Sequence, residues 1–415
     1  MRTLFVHQSF PGQYRHLAAA MAARPGHETV GLGQHALDLL PGVRQVRYCA
    51  PAGAGRETHR YVRPLESAVR RGQAVARAAL ALKGSGFTPD LICCHPGWGE
   101  GLFLRDVFPD ARLLYYFEYH YTASGADIGF GEAQPVSLDE AARVRMLNAN
   151  HLLSLDAADW GHTATQWQRS RFPAWAREAI TVVHEGVDTD CVRRDPEASF
   201  TLPDGRVLTA QEEVITFAAR GLEPYRGFPS FMRALPEILL RRPAAQVVVV
   251  GGDASHYGPG PASGRSWREE LMVELGKELD ASRVHFVGRI QHQALLSLFN
   301  ISAAHVYLTY PFVLSWSLLE AMACGCPIIA SATPTVEEAV RDGVTGRLVD
   351  FHAHSELAAT VLNVLRHPAA AREMGDAARN HIVEHYDLRR ICLPAGLALL
   401  DGVASGRLRL ERAPF

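Results

Sequence analysis

Short uninterrupted apolar runs alternate along the chain with longer stretches in which apolar residues recur every three or four positions. Arg2–His7, Leu91–Cys94 and Leu113–Phe117 read as strands, and their lack of alternation predicts a parallel sheet covered on both faces. Gln13–Ala23 and Leu65–Leu82 read as helices, and Leu152–Leu155 and Ile180–Val183 as further apolar runs in the same pattern. A polar segment from Asp190 to Gln211 then breaks the pattern and reads as a linker. After it, strands Val214–Ala219, Gln246–Val250, Val284–Val287, Ala304–Leu308, Pro327–Ala330 and Gly346–Asp350 are expected. Between and after them come helices Gly227–Arg241, Arg268–Leu279, Gln293–Asn300, Leu314–Ala323, Glu356–Arg366, Ala369–Tyr386 and Leu388–Leu400. Strand and helix in regular alternation predict an α/β chain of two doubly wound domains. The expected division is 1–195, 205–385, and 386–415 as a C-terminal helix that can return to the first domain.

Composition narrows the classes. The 415 residues are 47% hydrophobic and 21% charged, the profile of a folded globular chain. Lys+Arg 42 against Asp+Glu 44 leaves a formal charge of −2, so no basic field exists to hold a nucleic-acid backbone. The seven cysteines lack framework or metal-ligand spacing and read as small core residues. Neither a signal peptide nor a membrane-spanning run is present, so a cytoplasmic location is expected. Arg70, Arg71 and Arg77 read as a solvated helix face, with peripheral membrane contact as the alternative.

Candidate chemistry lies at strand ends. Open α/β sheets bind ligands beyond the carboxyl ends of their strands, where glycine lets backbone approach a phosphate. Gly12, after the first strand, and Gly251-Gly252, after Val247–Val250, sit at such ends, and both also fit ordinary turns. Neither G-x-G-x-x-G after the first strand nor G-x-x-x-x-G-K-[ST] anywhere occurs, which argues against a dinucleotide oxidoreductase or a P-loop ATPase. Ala219–Gly227 places Arg220 and Arg226 around a turn between strand and helix, an arrangement suited to forked bonds to a diphosphate or to plain solvation. Glu320 interrupts an otherwise apolar helix. A carboxylate there needs a partner, in an ion pair or in the hydroxyls of a ribose.

The sequence order of these features carries a resemblance. Arg220…Arg226-Gly227, Gly251-Gly252, Phe286-Val287-Gly288, Leu319–Ala330 and Asp342–Val349 are similar to the donor half of glycosyltransferase family 4, which has the GT-B fold. Pro11-Gly12 before a helix and His184-Glu185-Gly186-Val187-Asp188 resemble its first half. The resemblance implies two Rossmann-like domains facing a central cleft. It further implies a nucleoside diphosphate sugar as donor substrate, no cofactor and no metal, and transfer to a hydroxyl acceptor with retention of configuration. By the same resemblance Arg220 and Arg226 grip the diphosphate, and Glu320 is the ribose ligand. Val287, Gly288 and Arg289 contact the base, while Gly12, Gly251, Gly252 and the amides of Val313, Leu314, Ser315 and Leu319 line the donor.

Two departures stand out. The first glutamate of the family's E-x7-E motif is replaced by Phe312, and Val313-Leu314-Ser315 replaces the Gly-Phe-Gly that follows. In the first half, Glu118 and His120 follow a strand where the family has a histidine near the sugar. Period-2 geometry aims both to one side if that strand continues, and His120 also fits an ordinary loop residue. His95 and Trp98 at another strand end suit an acceptor wall, and Trp98 equally suits packing. The expected activity is therefore a hexosyltransferase. A non-catalytic nucleotide-sugar or carbohydrate-binding protein and, less favoured, a GT-B epimerase are the alternatives.

Overall fold

The apolar runs form two parallel sheets, each sandwiched between layers of apolar packing. In the computed structural model, which describes residues 1–35, 39–132 and 134–410, the first sheet has seven strands. These are β1 (Arg2–Val6), β2 (Glu28–Gly33), β3 (Val43–Arg47), β4 (Leu91–Cys94), β5 (Arg112–Tyr116), β6 (Trp160–Thr163) and β7 (Ile180–Val182). They are ordered β3-β2-β1-β4-β5-β6-β7 and all pair in parallel. Adjacent residues feed opposite cores: Leu4, Val6, Ile92 and Cys94 enter one, and Phe5, Leu91 and Cys93 the other. That is the physical reason for the missing alternation.

The second sheet follows a small antiparallel hairpin, β8 (Ser199–Thr201) and β9 (Val207–Thr209). It comprises β10 (Val214–Gly221), β11 (Gln246–Gly252), β12 (Val284–Gly288), β13 (Ser302–Tyr307), β14 (Ile328–Ser331) and β15 (Arg347–Val349). Their order is β12-β11-β10-β13-β14-β15, again parallel throughout. The helix Phe228–Arg241 lays Phe228, Phe231, Met232, Leu235, Ile238 and Leu239 inward at helical spacing.

The chain divides into two units: Met1–Gly186 together with the stretch from Leu388 onward, and Val187–Asp387. Leu388–Cys392 winds as a π-turn into the helix Leu393–Ala404, whose Leu399, Leu400 and Val403 join Phe5 and Tyr14 in the first unit's core. The last five residues of the expected 386–415 segment lie outside the described residues.

Several expectations are corrected. Leu152–Leu155 is helical, within Ala149–Ala157, because Leu152 and Leu153 face solvent while Ser154 and Leu155 are buried. The polar segment taken as a bare linker holds the hairpin, whose Phe200 and Leu208 pack into the second unit's core. Cys49 and Cys191 are exposed, unlike the buried Cys93, Cys94, Cys324, Cys326 and Cys392. Of the three arginines read as a solvated face, Arg70 pairs with Glu66. Arg71 turns inward, donating to Trp98 O at 2.8 Å and approaching the buried Glu100 at 3.7 Å. Among the described residues no helix is long and apolar enough to cross a membrane.

Candidate functional site

In each sheet the chain moves outward from its first strand and then returns to that strand's other side, so a crevice opens at the carboxyl ends of β1/β4 and of β10/β13. Ligands of open α/β sheets bind at such reversals of strand order.

In the second unit this crevice is cationic. Pairing of β10 with β11 shifts register between Ala218 and Gly221. Arg220, inside that irregularity, is exposed and has no hydrogen-bond or ion-pair partner among the described residues. Arg226 behaves differently. It is buried, its Nη1 donates to Thr309 Oγ1 at 2.9 Å, Tyr307 Oη at 3.4 Å and Val313 O at 3.2 Å, and its guanidinium lies 5.3 Å from the Tyr257 ring. Arg226 thus ties β10's exit to β13 across the crevice, and Arg220 is the cation left facing solvent.

Glu223, between them, is fully buried. Its carboxylate accepts from three successive amides, His256 at 3.0 and 3.1 Å, Tyr257 at 2.9 Å and Gly258 at 3.3 Å. The loop after β11 can fold down this far because position 221 is glycine: a Cβ there would stand 2.5 Å from Ala254 O. Arg289, just past β12, reaches back to this loop, with Nη2 3.2 Å from His256 Nε2 and Nε close to Gly252. Burial and the neighbouring Arg220 and Arg289 lower the His256 pKa, against the pull of Glu223. Gly251 packs under Leu222 and Ala219 O, and Val287 and Gly288 finish β12, with Val287 against the core.

The helix expected from Leu314 starts at Trp316. The preceding loop is fixed instead: Val313 O receives Arg226, Leu314 is buried, and Ser315 N donates to Tyr307 Oη at 2.9 Å. Leu319 is fully buried and the amide of Leu318 already bonds Ser315 O at 3.2 Å. Glu320 is not sunk in the apolar face. Its side chain keeps 19% exposure and sits 2.7 Å from Nε2 of His292. Phe312 stands edge-on to Tyr225 and Tyr257, with ring centroids 5.8 and 5.2 Å away, in an aromatic cluster that includes Tyr310.

In the first unit the crevice is built of imidazoles and a carboxylate. His7 directly follows β1 and His95 directly follows β4, so adjacent strands bring the two rings to 5.1 Å. Gly12 takes φ +47° directly over His7, and a Cβ would fall 2.5 Å from its Cε1, so only glycine allows that approach. Burial, with the neighbouring His95, pushes His7 down to about 3, which makes it a neutral imidazole. His95 is 1% exposed, stacked between Trp98 at 4.6 Å and Tyr116 at 5.3 Å. Its Nε2 lies 3.5 Å from Glu118 Oε2, while Glu118 Oε1 accepts from Gln13 Nε2 at 3.0 Å. Burial works to raise the Glu118 pKa, but the contacts with His95, His7 and Gln13 win and hold it below the usual carboxylate range.

His120 is not part of this cluster. The strand stops at Tyr116, so period-2 geometry does not carry to residue 120, and its ring packs on Phe172 at 5.5 Å instead. Burial and Arg171 lower it to about 4. Trp98 keeps 38% exposure above His95. Behind the cluster a cavity of about 20 Å³, room for one water, is lined by Tyr116, His162 and Glu185 among others.

His7, Gln13, Glu223, Tyr257 and His292 were not foreseen from the sequence. The one readable signal was for His7, a histidine ending the first strand and followed two residues later by a turn serine. Among the described residues no group of three or more His, Cys, Asp or Glu side chains is placed to hold a metal ion.

Two Rossmann-like parallel-sheet domains with these strand orders define the GT-B fold. Solved structures agree: sucrose-phosphate synthase from Thermosynechococcus elongatus superposes with TM-score 0.69 over 98% of this chain and 100% of that one at 19% identity. HepE from Anabaena in complex with UDP and glucose does so with TM-score 0.68 over 97% and 100% at 17% identity. Residues 25–192 match the model of the glycosyl transferase family 4 group, and residues 204–381 that of glycosyl transferases group 1. Together these matches support a GT-B glycosyltransferase family for the chain. D-inositol 3-phosphate glycosyltransferase of Mycobacterium tuberculosis strain H37Rv is 32% identical over 209 residues, 49% of this chain and 40% of that one. The match therefore spans well under half the length of such relatives.

Proposed function

We propose that the chain is a hexosyltransferase that takes its sugar from a nucleoside diphosphate sugar and passes it to a hydroxyl with retention of configuration. The observation that carries this reading is Arg220, an exposed guanidinium with no counter-ion among the described residues, at the strand-order reversal of the second sheet near Arg289 and His256. An unpaired arginine at such an edge is a ready partner for a diphosphate, binding through forked charge-assisted hydrogen bonds. Its charge would oppose the negative charge that builds on the leaving diphosphate, which is where preorganised electrostatics lowers a barrier. Arg226 acts in this scheme by fixing the Val313–Ser315 loop, and Glu320, partly exposed beside His292, is placed to accept ribose hydroxyls. In the first unit Glu118, an ionised and partly exposed carboxylate, is the group suited to accept a hydrogen bond from a substrate hydroxyl. That UDP and glucose occupy HepE supports the choice of donor class.

The test is a screen of nucleoside diphosphate sugars for release of free nucleoside diphosphate, with and without a chelator. Release that survives chelation is expected. Phe312 motivates a second reading, because an aromatic cluster occupies the place where the family resemblance puts a carboxylate: a protein that binds nucleotide sugars without turning them over. Binding in the same screen without release would favour it, and isomer interconversion would indicate an epimerase.

A further inference from the structure

Three histidines just past strands of the first sheet share one local device. His7 Nδ1 accepts from the amide of Ser9 at 2.9 Å, His95 Nδ1 from that of Gly97 at 3.3 Å, and His184 Nδ1 from that of Gly186 at 2.9 Å. In each the residue two positions on supplies the N–H. A nitrogen that accepts cannot carry the proton, so in a neutral ring the proton must sit on Nε2.

For His95 this has a consequence. The ring is sandwiched between Trp98 and Tyr116, and its buried Nε2 has no hydrogen-bond partner of good geometry among the described residues. The Glu118 carboxylate lies 3.5 Å from that atom, and the other oxygen of the carboxylate is held by Gln13. Gln168 Nε2 donates to the backbone carbonyl of Glu118 at 2.6 Å, which fixes the chain at this point. We propose that His95 is a positioning residue, locked by the Gly97 amide as the Nε2–H tautomer so that it presents a donor to Glu118 and leaves that carboxylate a pure acceptor toward a substrate hydroxyl. This assignment deepens the transferase reading and rests on it for the role of Glu118. It also means that His95, with no exposed face, does not touch the acceptor itself. The titratable groups facing Glu118 are His7 at the end of β1, His95 at the end of β4, Tyr116 on β5 and His151 on the Ala149–Ala157 helix.

Substitutions separate the donor from the ring. Gln places an amide N–H where Nε2 stood, Asn places it where Nδ1 stood, and Phe keeps the stack with no donor. In the full chain, 15N NMR of the histidines is expected to show His95 protonated on Nε2 and bare on Nδ1 at neutral pH. The Glu118 carboxyl titration, followed by 13C NMR, is expected to move upward in H95F and H95N and to stay near the wild-type position in H95Q. Transfer kcat is expected to drop about 10²-fold in H95F and H95N, the lower range for a positioned acid–base group, with the donor KM unchanged and H95Q restoring most of it. A proton on Nδ1, an unmoved Glu118 titration, or H95Q no better than H95N overturns the proposal. If H95F fails to fold, the contrast between H95Q and H95N still decides. Tautomer and titration are read without turnover, so they stand or fall separately from the transferase activity.

Discussion

The two sheets share one topology and differ in what they place at its reversal point. Just past β1, β4 and β5 stand two imidazoles and a carboxylate, His7, His95 and Glu118. At the carboxyl end of β10 and in the turn after it stand guanidiniums, Arg220 exposed and Arg226 buried. Strand order therefore fixes where each crevice lies, and a few residues at and just past the strand ends decide its charge. A crevice bearing imidazoles and a carboxylate and a crevice bearing guanidiniums arise from the same scaffold, in line with the rule that chemistry resides in residues grafted onto a common fold.

The largest effect is expected at Glu118. Glu118→Gln keeps the side chain's size and removes its charge, and transfer is expected to fall about 10²–10⁴-fold, the range for a positioned acid–base group. Slow hydrolysis of the donor should persist, which separates the two crevices in one assay of sugar transfer against nucleotide release. Arg220→Ala should cost both reactions about 10²–10³-fold, as for loss of one electrostatic donor, with an unchanged circular dichroism spectrum. Arg226→Ala sharpens the contrast within the second unit. Its three bonds across β10 and β13 make its loss structural, so thermal unfolding should show a drop worth about 1.5–3 kcal/mol, the scale of hydrogen bonding to a charged group.

Acid offers the gentlest test of the same comparison. Burial lowers His7 and His162 to about 3 and His120 and His151 to about 4 in the first unit, against His305 alone, at about 3, among such strongly lowered histidines in the second. A histidine with a lowered folded pKa binds its proton in the unfolded chain first, so stability is full above the ordinary value of 6.5 and is lost as pH falls below it. Lowered carboxylates share this sign, but they act below their ordinary values near 4. The buried Glu100, raised by burial, opposes it in the first unit. Between pH 6.5 and 4.5 the four histidines should still dominate, and hydrogen exchange should show the first unit loosening at a higher pH than the second. Equal loosening would contradict the asymmetry.

Legibility from sequence followed burial. Leu91–Cys94 and Val247–Val250 were readable because both faces of each strand are covered, which leaves an unbroken apolar run. Val43–Arg47 was not, since this half-exposed edge strand alternates with arginines, and Trp160–Thr163 hides a buried histidine in four residues. Arg220 and Arg226 were recognisable as a pair around a turn, but six positions of spacing say nothing of which guanidinium the fold would bury. Glu223 gave no signal at all, because its partners are backbone amides of a loop more than thirty residues away. His7 was one of nineteen histidines, and only the strand pairing that sets it against His95 gives it a role.

In the proposed reaction the second unit holds a nucleoside diphosphate sugar through Arg220 and the chain turns it over. The most direct measurement is the rate of nucleoside diphosphate release from a panel of nucleotide sugars by the wild-type chain and by Arg220→Ala. Release from at least one donor, lost about 10²-fold or more in the variant, is the expected result. No release from any donor, or the same release from both proteins, would contradict it.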